Sequence, residues 1–346
     1  MTDALEFGLD TFGDVTLDAD GQPRPQAQVL RDVVEEAVLA DQLGLAFIGL
    51  GEHHRKDFSI SAPDVLGGAI AGRTRQIHIG SSVTVLSTDD PVRVYERFST
   101  LNAISSGRAE IIAGRGSFTE SYPLFGFDLQ QYELLFEERL DLLAALIRDT
   151  PVTWEGQTRS ALQNQIVYPP VDPGKTLKLW VGVGGTPKSV ARAAHYGLPL
   201  MLAIIGGSAR RFTPYVELFY RALQEFGKER LPVGVHSPGH VAATDEEARE
   251  QLWPNYQILM ARIGAERGWP PVTRAQFDRE ASPEGSLYVG SPETVARRIA
   301  ASVKALDVGR FDLIYTVGPQ PISARTRAVE LYGSKVIPMV RDILAG

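Results

Sequence analysis

The 346-residue chain contains no cysteine. That absence removes disulfides, thiolate metal sites and cysteine nucleophiles, and it suits a reducing interior. Basic clusters are missing too: 35 Lys and Arg stand against 42 Asp and Glu, a formal net charge of −7. A nucleic-acid or acidic-lipid surface is therefore not expected. No apolar run approaches the roughly 18 residues that a membrane span needs. The opening residues, Met1 to Glu6, show no basic segment followed by an apolar stretch, so no signal peptide is read there. Internal repeats, low-complexity tracts and domain linkers are absent as well. Together these absences point to a soluble cytoplasmic protein with neither membrane nor nucleic acid among its partners.

What the chain does have is a large apolar fraction, 44%. Its length allows one large α/β barrel or two ordinary domains, and with no linker residues 1–346 read as a single domain. Short β-rich runs recur at 6–12, 47–50, 77–86, 109–113, 177–183, 200–205, 232–235 and 312–317. They read as continuously apolar, as strands do when a parallel sheet is covered on both faces. Amphipathic helices alternate with them. Leu30, Val33, Val34, Ala37 and Ala40 share one face, and Gly44 follows as a stop. Phe136, Leu140, Leu143, Ala144 and Ile147 share another. Asp90-Pro91, Thr186-Pro187 and Ser291-Pro292 each pair a capping residue with proline at the first helical position. Thr244 with Glu247 reads as a capping box.

Eight strands with interposed helices predict an α/β fold, the TIM (β/α)8 barrel, with a doubly wound sheet as the alternative. Two long insertions follow strands 4 and 7. The first, 116–176, holds a helix and a hairpin of 152–154 against 165–168; the second, 237–290, holds a helix and an irregular stretch from 268. Insertions of this length serve as lids or substrate walls.

Four segments could carry chemistry. Gly49-Leu-Gly-Glu52-His53-His54-Arg55 ends the second strand, at the face where barrel enzymes work. Adjacent strand residues point to opposite sides, which argues against a two-histidine metal site. A histidine here suits proton transfer, or it is simply bonded to backbone carbonyls. Gly182-Val-Gly184-Gly185-Thr186-Pro187-Lys188-Ser189 opens a helix whose first N–H groups could hold a phosphate. It lacks the third glycine of a dinucleotide fingerprint, and a tight capped turn is the plainer reading. Arg115, between Gly114 and Gly116, could grip an anionic phosphate bidentately or lie loose on the surface. Ser81 and Ser82 interrupt the third strand, making room for a planar ring or bonding to nearby backbone.

In this order and spacing, these segments resemble the bacterial luciferase-like flavin-dependent monooxygenases. Glu52-His53-His54, Ile79 to Leu86 followed by Asp90-Pro91-Val92-Arg93, Ser106-Gly107-Arg108 and Gly114-Arg115-Gly116 carry the resemblance. It is strongest over 6–126 and 179–197 and persists at Ser291-Pro292. It implies a TIM barrel holding FMN at its C-terminal mouth. His53 corresponds to the family's active-site histidine, which assists formation and reaction of a flavin C4a-hydroperoxide. Ser82 and Val83 occupy the place of a non-proline cis peptide against which the flavin ring packs. Arg115, Gly185, Thr186 and Ser189 correspond to phosphate-binding positions. No metal is implied. Gly114 stands where the luciferase α chain has a reactive cysteine and Gly185 where it has an acidic residue, so light emission and long-chain aldehyde are not carried over.

The expected reaction joins reduced FMN and O2 to oxygenate a small organic substrate. With no nicotinamide fingerprint visible, an NAD(P)H:flavin reductase is expected to deliver the reduced flavin. Relatives are often homodimers, but no exposed stripe in this sequence decides association. Two alternatives remain: hydride transfer with the deazaflavin F420, toward which Glu52-His53-His54 leans less than toward FMN, and flavin binding without catalysis.

Overall fold

The computed structural model describes residues 5–18, 20–148 and 151–346, so Met1 to Ala4, part of the segment read for a signal peptide, fall outside it. Eight parallel strands close into a barrel: β1 (Glu6–Thr11), β2 (Phe47–Leu50), β3 (His78–Ser81), β4 (Ala109–Gly114), β5 (Lys178–Val183), β6 (Leu200–Ala203), β7 (Val233–Val241) and β8 (Arg310–Ile314). Each strand pairs with the next, and β8 returns to pair with β1. The helices α1 (Gln26–Gln42), α2 (Pro63–Ala71), α3 (Pro91–Ile104), α4 (Tyr132–Arg148), α5 (Pro187–Tyr196), α6 (Thr213–Glu225), α7 (Pro292–Leu306) and α8 (Ile322–Leu331) follow the strands of the same number. The fold is the predicted TIM (β/α)8 barrel, with long insertions after strands 4 and 7.

The main apolar core lies between strands and helices, where Leu9, Ile48, Ile79, Ile111, Val181, Leu202, Val235 and Phe311 meet residues such as Val33, Ala37 and Phe98. The barrel interior is different, and here the expectation of continuously apolar strands needs correction. Alternate residues turn inward, and several are charged. Arg310 of β8 bonds Glu110 of β4 at 2.7 Å and Asp312 at 2.9 Å, with its guanidinium 3.5 Å from the Phe47 ring centroid. Strands β4 and β8 are not neighbours in the ring, so this contact crosses the interior. Burial pushes the Glu110 carboxyl up, but Arg310, His78 and Lys178 more than offset it and hold it well below its usual range. Gly8 makes room for this cluster: a Cβ there would lie 2.1 Å from Asp312 Oδ1.

Several boundaries also differ. The third strand breaks after Ser81, at a cis Ser82–Val83 peptide, and resumes at Thr84–Val85 against the upper end of β4. The seventh runs on to Val241 because its upper half gains a partner, Tyr288–Gly290. The hairpin pairs Val152 with Gln165 and Trp154 with Leu162, so the strand expected at 165–168 lies earlier, with Leu162 supplying the apolar partner of Trp154. The stretch from 268 is not wholly irregular. It contains a helix, Arg274–Glu280, started by a capping box between Thr273 and Gln276.

Candidate active site

His53 follows β2 at the C-terminal mouth. Its backbone N–H bonds Ile60 O at 2.9 Å, which fixes the segment. Phe12, Phe58 and Phe118 surround the ring at centroid distances of 5.1, 4.7 and 5.1 Å. Glu120 Oε1 lies 3.3 Å from Nδ1. Burial raises the Glu120 carboxyl, and the bond to His53 reverses that, leaving it below its usual range. His54, in the same irregular segment beyond β2, makes different contacts: its Nε2 lies 2.9 Å from Glu52 Oε1, and its ring packs against Phe125. Glu52 in turn accepts the Val85 N–H at 3.0 Å, just beyond the cis peptide.

The two insertions meet at Phe118, the ring that packs on His53. Arg55 stands 4.3 Å from its centroid and pairs with Glu266, near the end of helix Asp245–Arg267. Arg267 of the same helix donates to Ser117 O at 2.7 Å. These contacts tie the second insertion to the first beside His53.

Ser82 and Val83 form one wall of the mouth. The Val83 side chain leans over the glycine ends of β4 and β5, where a Cβ on Gly114 or Gly182 would lie 2.7 or 3.1 Å from it. The Ser82 hydroxyl lies 3.4 Å from His236 Nδ1, and that nitrogen also meets the Asp10 carboxylate.

Arg115, Thr186 and Ser189 converge beyond this wall. Arg115 Nη2 donates to Ser189 Oγ at 3.3 Å, and the Thr186 hydroxyl lies 2.8 Å from the same oxygen. Thr186 therefore does not cap α5 with its side chain, contrary to the sequence expectation, whereas Asp90 and Ser291 do cap their helices. Gly185 adopts φ +100°, and around Gly184 nothing lies within 4 Å of a Cβ position, so backbone is open to a ligand. Arg115 rests 4.6 Å from the Tyr132 centroid. Arg115, Lys188 and Arg192 gather about Glu133 and Glu137, three cations against two carboxylates. No group of three or more His, Asp or Glu side chains suited to a metal occurs among the described residues.

The structure thus brings Arg115, Gly185, Thr186 and Ser189 together, and sets His53 apart in its aromatic surround with Ser82 and Val83 as a wall. Sequence reasoning missed Glu120, the three phenylalanines, Asp10 and His236. Asp10 lies inside a run that reads as apolar, and the seventh run stops at Val235, one residue before His236. The alternation of Gly8, Asp10 and of Arg310, Asp312 was the available signal.

The sequence profile of the luciferase-like monooxygenases matches residues 11–308. The chain is 27% identical to 4-hydroxyprotoasukamycin monooxygenase of Streptomyces nodosus subsp. asukaensis over 339 residues, 93% of this chain and 90% of that one. Among solved structures, it is similar to the oxygenating constituent of 3,6-diketocamphane monooxygenase from Pseudomonas putida, in complex with FMN: TM-score 0.76, 20% identity, covering 97% and 98% of the two chains. It is also similar to an F420-dependent secondary alcohol dehydrogenase in complex with an F420-acetone adduct: TM-score 0.72, 18% identity, covering 98% and 100%.

Proposed function

The chain belongs to the luciferase-like monooxygenase family, and from that premise we propose that it is an FMN-dependent monooxygenase of the two-component type. It takes reduced flavin from a separate NAD(P)H:flavin reductase and uses O2 to oxygenate a small organic substrate, acting in the cytoplasm with residues 1–346 as one domain. The observation that carries this reading is the cluster at the start of α5. A guanidinium able to grip two oxygens, two hydroxyls, a helix start with no side-chain cap and one excess positive charge suit a phosphomonoester. Arg115, Thr186 and Ser189, with the open backbone at Gly184 and the adjoining turn at Gly185, would hold the FMN phosphate, while Ser82 and Val83 would back its ring. Reduced flavin, when bound, supplies the electrons for O2 activation.

The chain's own residues then do the remaining work. His53, with Nδ1 on Glu120, offers Nε2 to give or take a proton at the mouth. Phe12, Phe58 and Phe118 keep water from that imidazole and favour an apolar substrate beside it. The Arg55–Glu266 strap ties the second insertion across the mouth.

The experiment compares FMN with riboflavin, which lacks the phosphate. FMN is expected to bind more tightly, and Arg115→Ala to weaken FMN by about 10- to 100-fold, the range of a charge-assisted hydrogen bond, while leaving riboflavin unchanged. Equal affinity for the two flavins would remove the phosphate role and, with it, the support for FMN over F420.

A further inference from the structure

The barrel interior holds a second imidazole constructed like His53. His236 stands on β7, with Asp312 of β8 and Ala203 of β6 as its register partners. Its Nδ1 meets the Asp10 carboxylate in a short contact and lies 3.4 Å from the Ser82 hydroxyl. Asp10 is wholly buried and occupies the space left by Gly49, where a Cβ would lie 1.8 Å from Asp10 Oδ1. Oδ1 of the carboxylate is thus packed against the Gly49 backbone, while Oδ2 meets the imidazole. His236 itself keeps 8% of its surface exposed, on a ring whose Nδ1 edge is sealed against buried Asp10. Among the described residues nothing bonds its Nε2.

The comparison with His53 is close. Each imidazole has a carboxylate on Nδ1 and, among the described residues, no bond at Nε2, and each packs edge-on against Phe12, at 5.1 Å for His53 and 6.3 Å for His236. The backing groups differ. Glu120 comes from an insertion and has a side chain 21% exposed, whereas Asp10 is part of the barrel wall and has a side chain 0% exposed. A carboxylate on Nδ1 makes that nitrogen the proton-bearing one and leaves a lone pair on Nε2. The charged groups facing His236 are Asp10 and Asp312, with Arg310 behind Asp312; His53 is the other base at Phe12.

We propose that His236 is a second proton-handling residue of this mouth, with Asp10 as its positioning residue. The inference rests on the reading of the mouth as the reaction site. Nδ1–H is donated to Asp10, and Nε2 accepts a proton from an O–H or N–H group bound against the Ser82–Val83 wall. The donor keeps the bonding electron pair, Asp10 balances the imidazolium charge, and the proton returns when the product's anion forms a bond to it. His236 thus works from the fixed barrel floor, and His53 works beneath the strap.

The test is histidine-ring nitrogen NMR on the intact protein, resolving His236 among the six histidines by its loss in His236→Gln. Wild type is expected to show protonated Nδ1 and bare Nε2, and Asp10→Asn to lose that preference while His54 is unmoved. Reduced FMN, added anaerobically, should shift the His236 Nε2 resonance. His236→Gln should bind FMN within about threefold of wild type, yet turn over at least about tenfold more slowly with an altered pH profile. An Nε2–H tautomer in wild type overturns the proposal without needing any variant to fold. FMN binding with an unmoved His236 resonance and an unchanged pH profile in His236→Gln overturns this role alone. Absence of binding by both FMN and F420 overturns the role together with the monooxygenase reading.

Discussion

Glu120 holds Nδ1 of His53 while three phenylalanines close around the ring, so the one nitrogen left for chemistry is Nε2. His53→Ala is expected to lower turnover by about 10²- to 10⁴-fold, the usual worth of general acid–base catalysis, with FMN affinity nearly unchanged. Steady-state oxygenation and flavin titration on the same preparation separate the two effects. A parallel loss of both would mean that His53 shapes the cofactor site rather than the reaction. The candidate residues were legible because their types stand at strand ends and between glycines. Their partners were not, because Glu120 lies 67 residues from His53 and Asp10 226 residues from His236. Such pairings come from barrel closure, and no local pattern announces them.

Asp90 and Thr186 carry the same signature in sequence, a capping residue followed by proline, yet they behave differently in the folded element. Asp90 accepts the Val92 N–H at 2.9 Å and the Arg93 N–H at 3.3 Å, and also holds Arg159 at 3.0 Å. Thr186 turns its hydroxyl toward Ser189. Asp90→Ala is therefore expected to cost about 1 kcal/mol of stability, and Thr186→Ala under ~0.5 kcal/mol, by chemical denaturation. Equal losses at the two sites would restore Thr186 as a plain cap and weaken its assignment to the ligand cluster. Helices and the succession of strands along the chain were legible through apolar periodicity, whereas the order of strands in the sheet was not. The break after Ser81 and the extension of β7 were not, since both depend on neighbours: β4 takes up Thr84 and Val85, and Tyr288–Gly290 extends the pairing of β7.

Closure of the barrel joins the first and last strands, and a buried acid sits in that seam. Asp14, beyond β1, accepts the Gly318 N–H beyond β8 at 2.9 Å. Burial raises its carboxyl to about 7, against the pull of Thr316, Arg325 and Gly318. The folded state therefore holds this proton more tightly than the unfolded chain, whose carboxyl titrates near 3.8. Stability from this group is present below about pH 4 and is lost as pH rises toward 7. Asp14→Asn cannot ionise and keeps an acceptor for Gly318. It is expected to match wild type near pH 4 and to exceed it by ~2–4 kcal/mol near pH 8. A difference that does not change with pH, in urea unfolding, would show Asp14 to be ionised in the folded protein throughout. At this scale the barrel was legible from eight strand runs and their helices. Its charged interior was not, because Glu110 and Asp312 lie in runs that read as apolar, Arg310 lies just before the eighth run, and their pairing exists only once strands across the ring meet.

The most direct test of the central claim is an anaerobic titration of the purified protein with reduced FMN, oxidised FMN and reduced F420, followed by fluorescence and absorbance. Reduced FMN is predicted to bind most tightly, with its advantage largely lost in Arg115→Ala. Binding of F420 with no binding of FMN would contradict the account and move the reaction to hydride transfer.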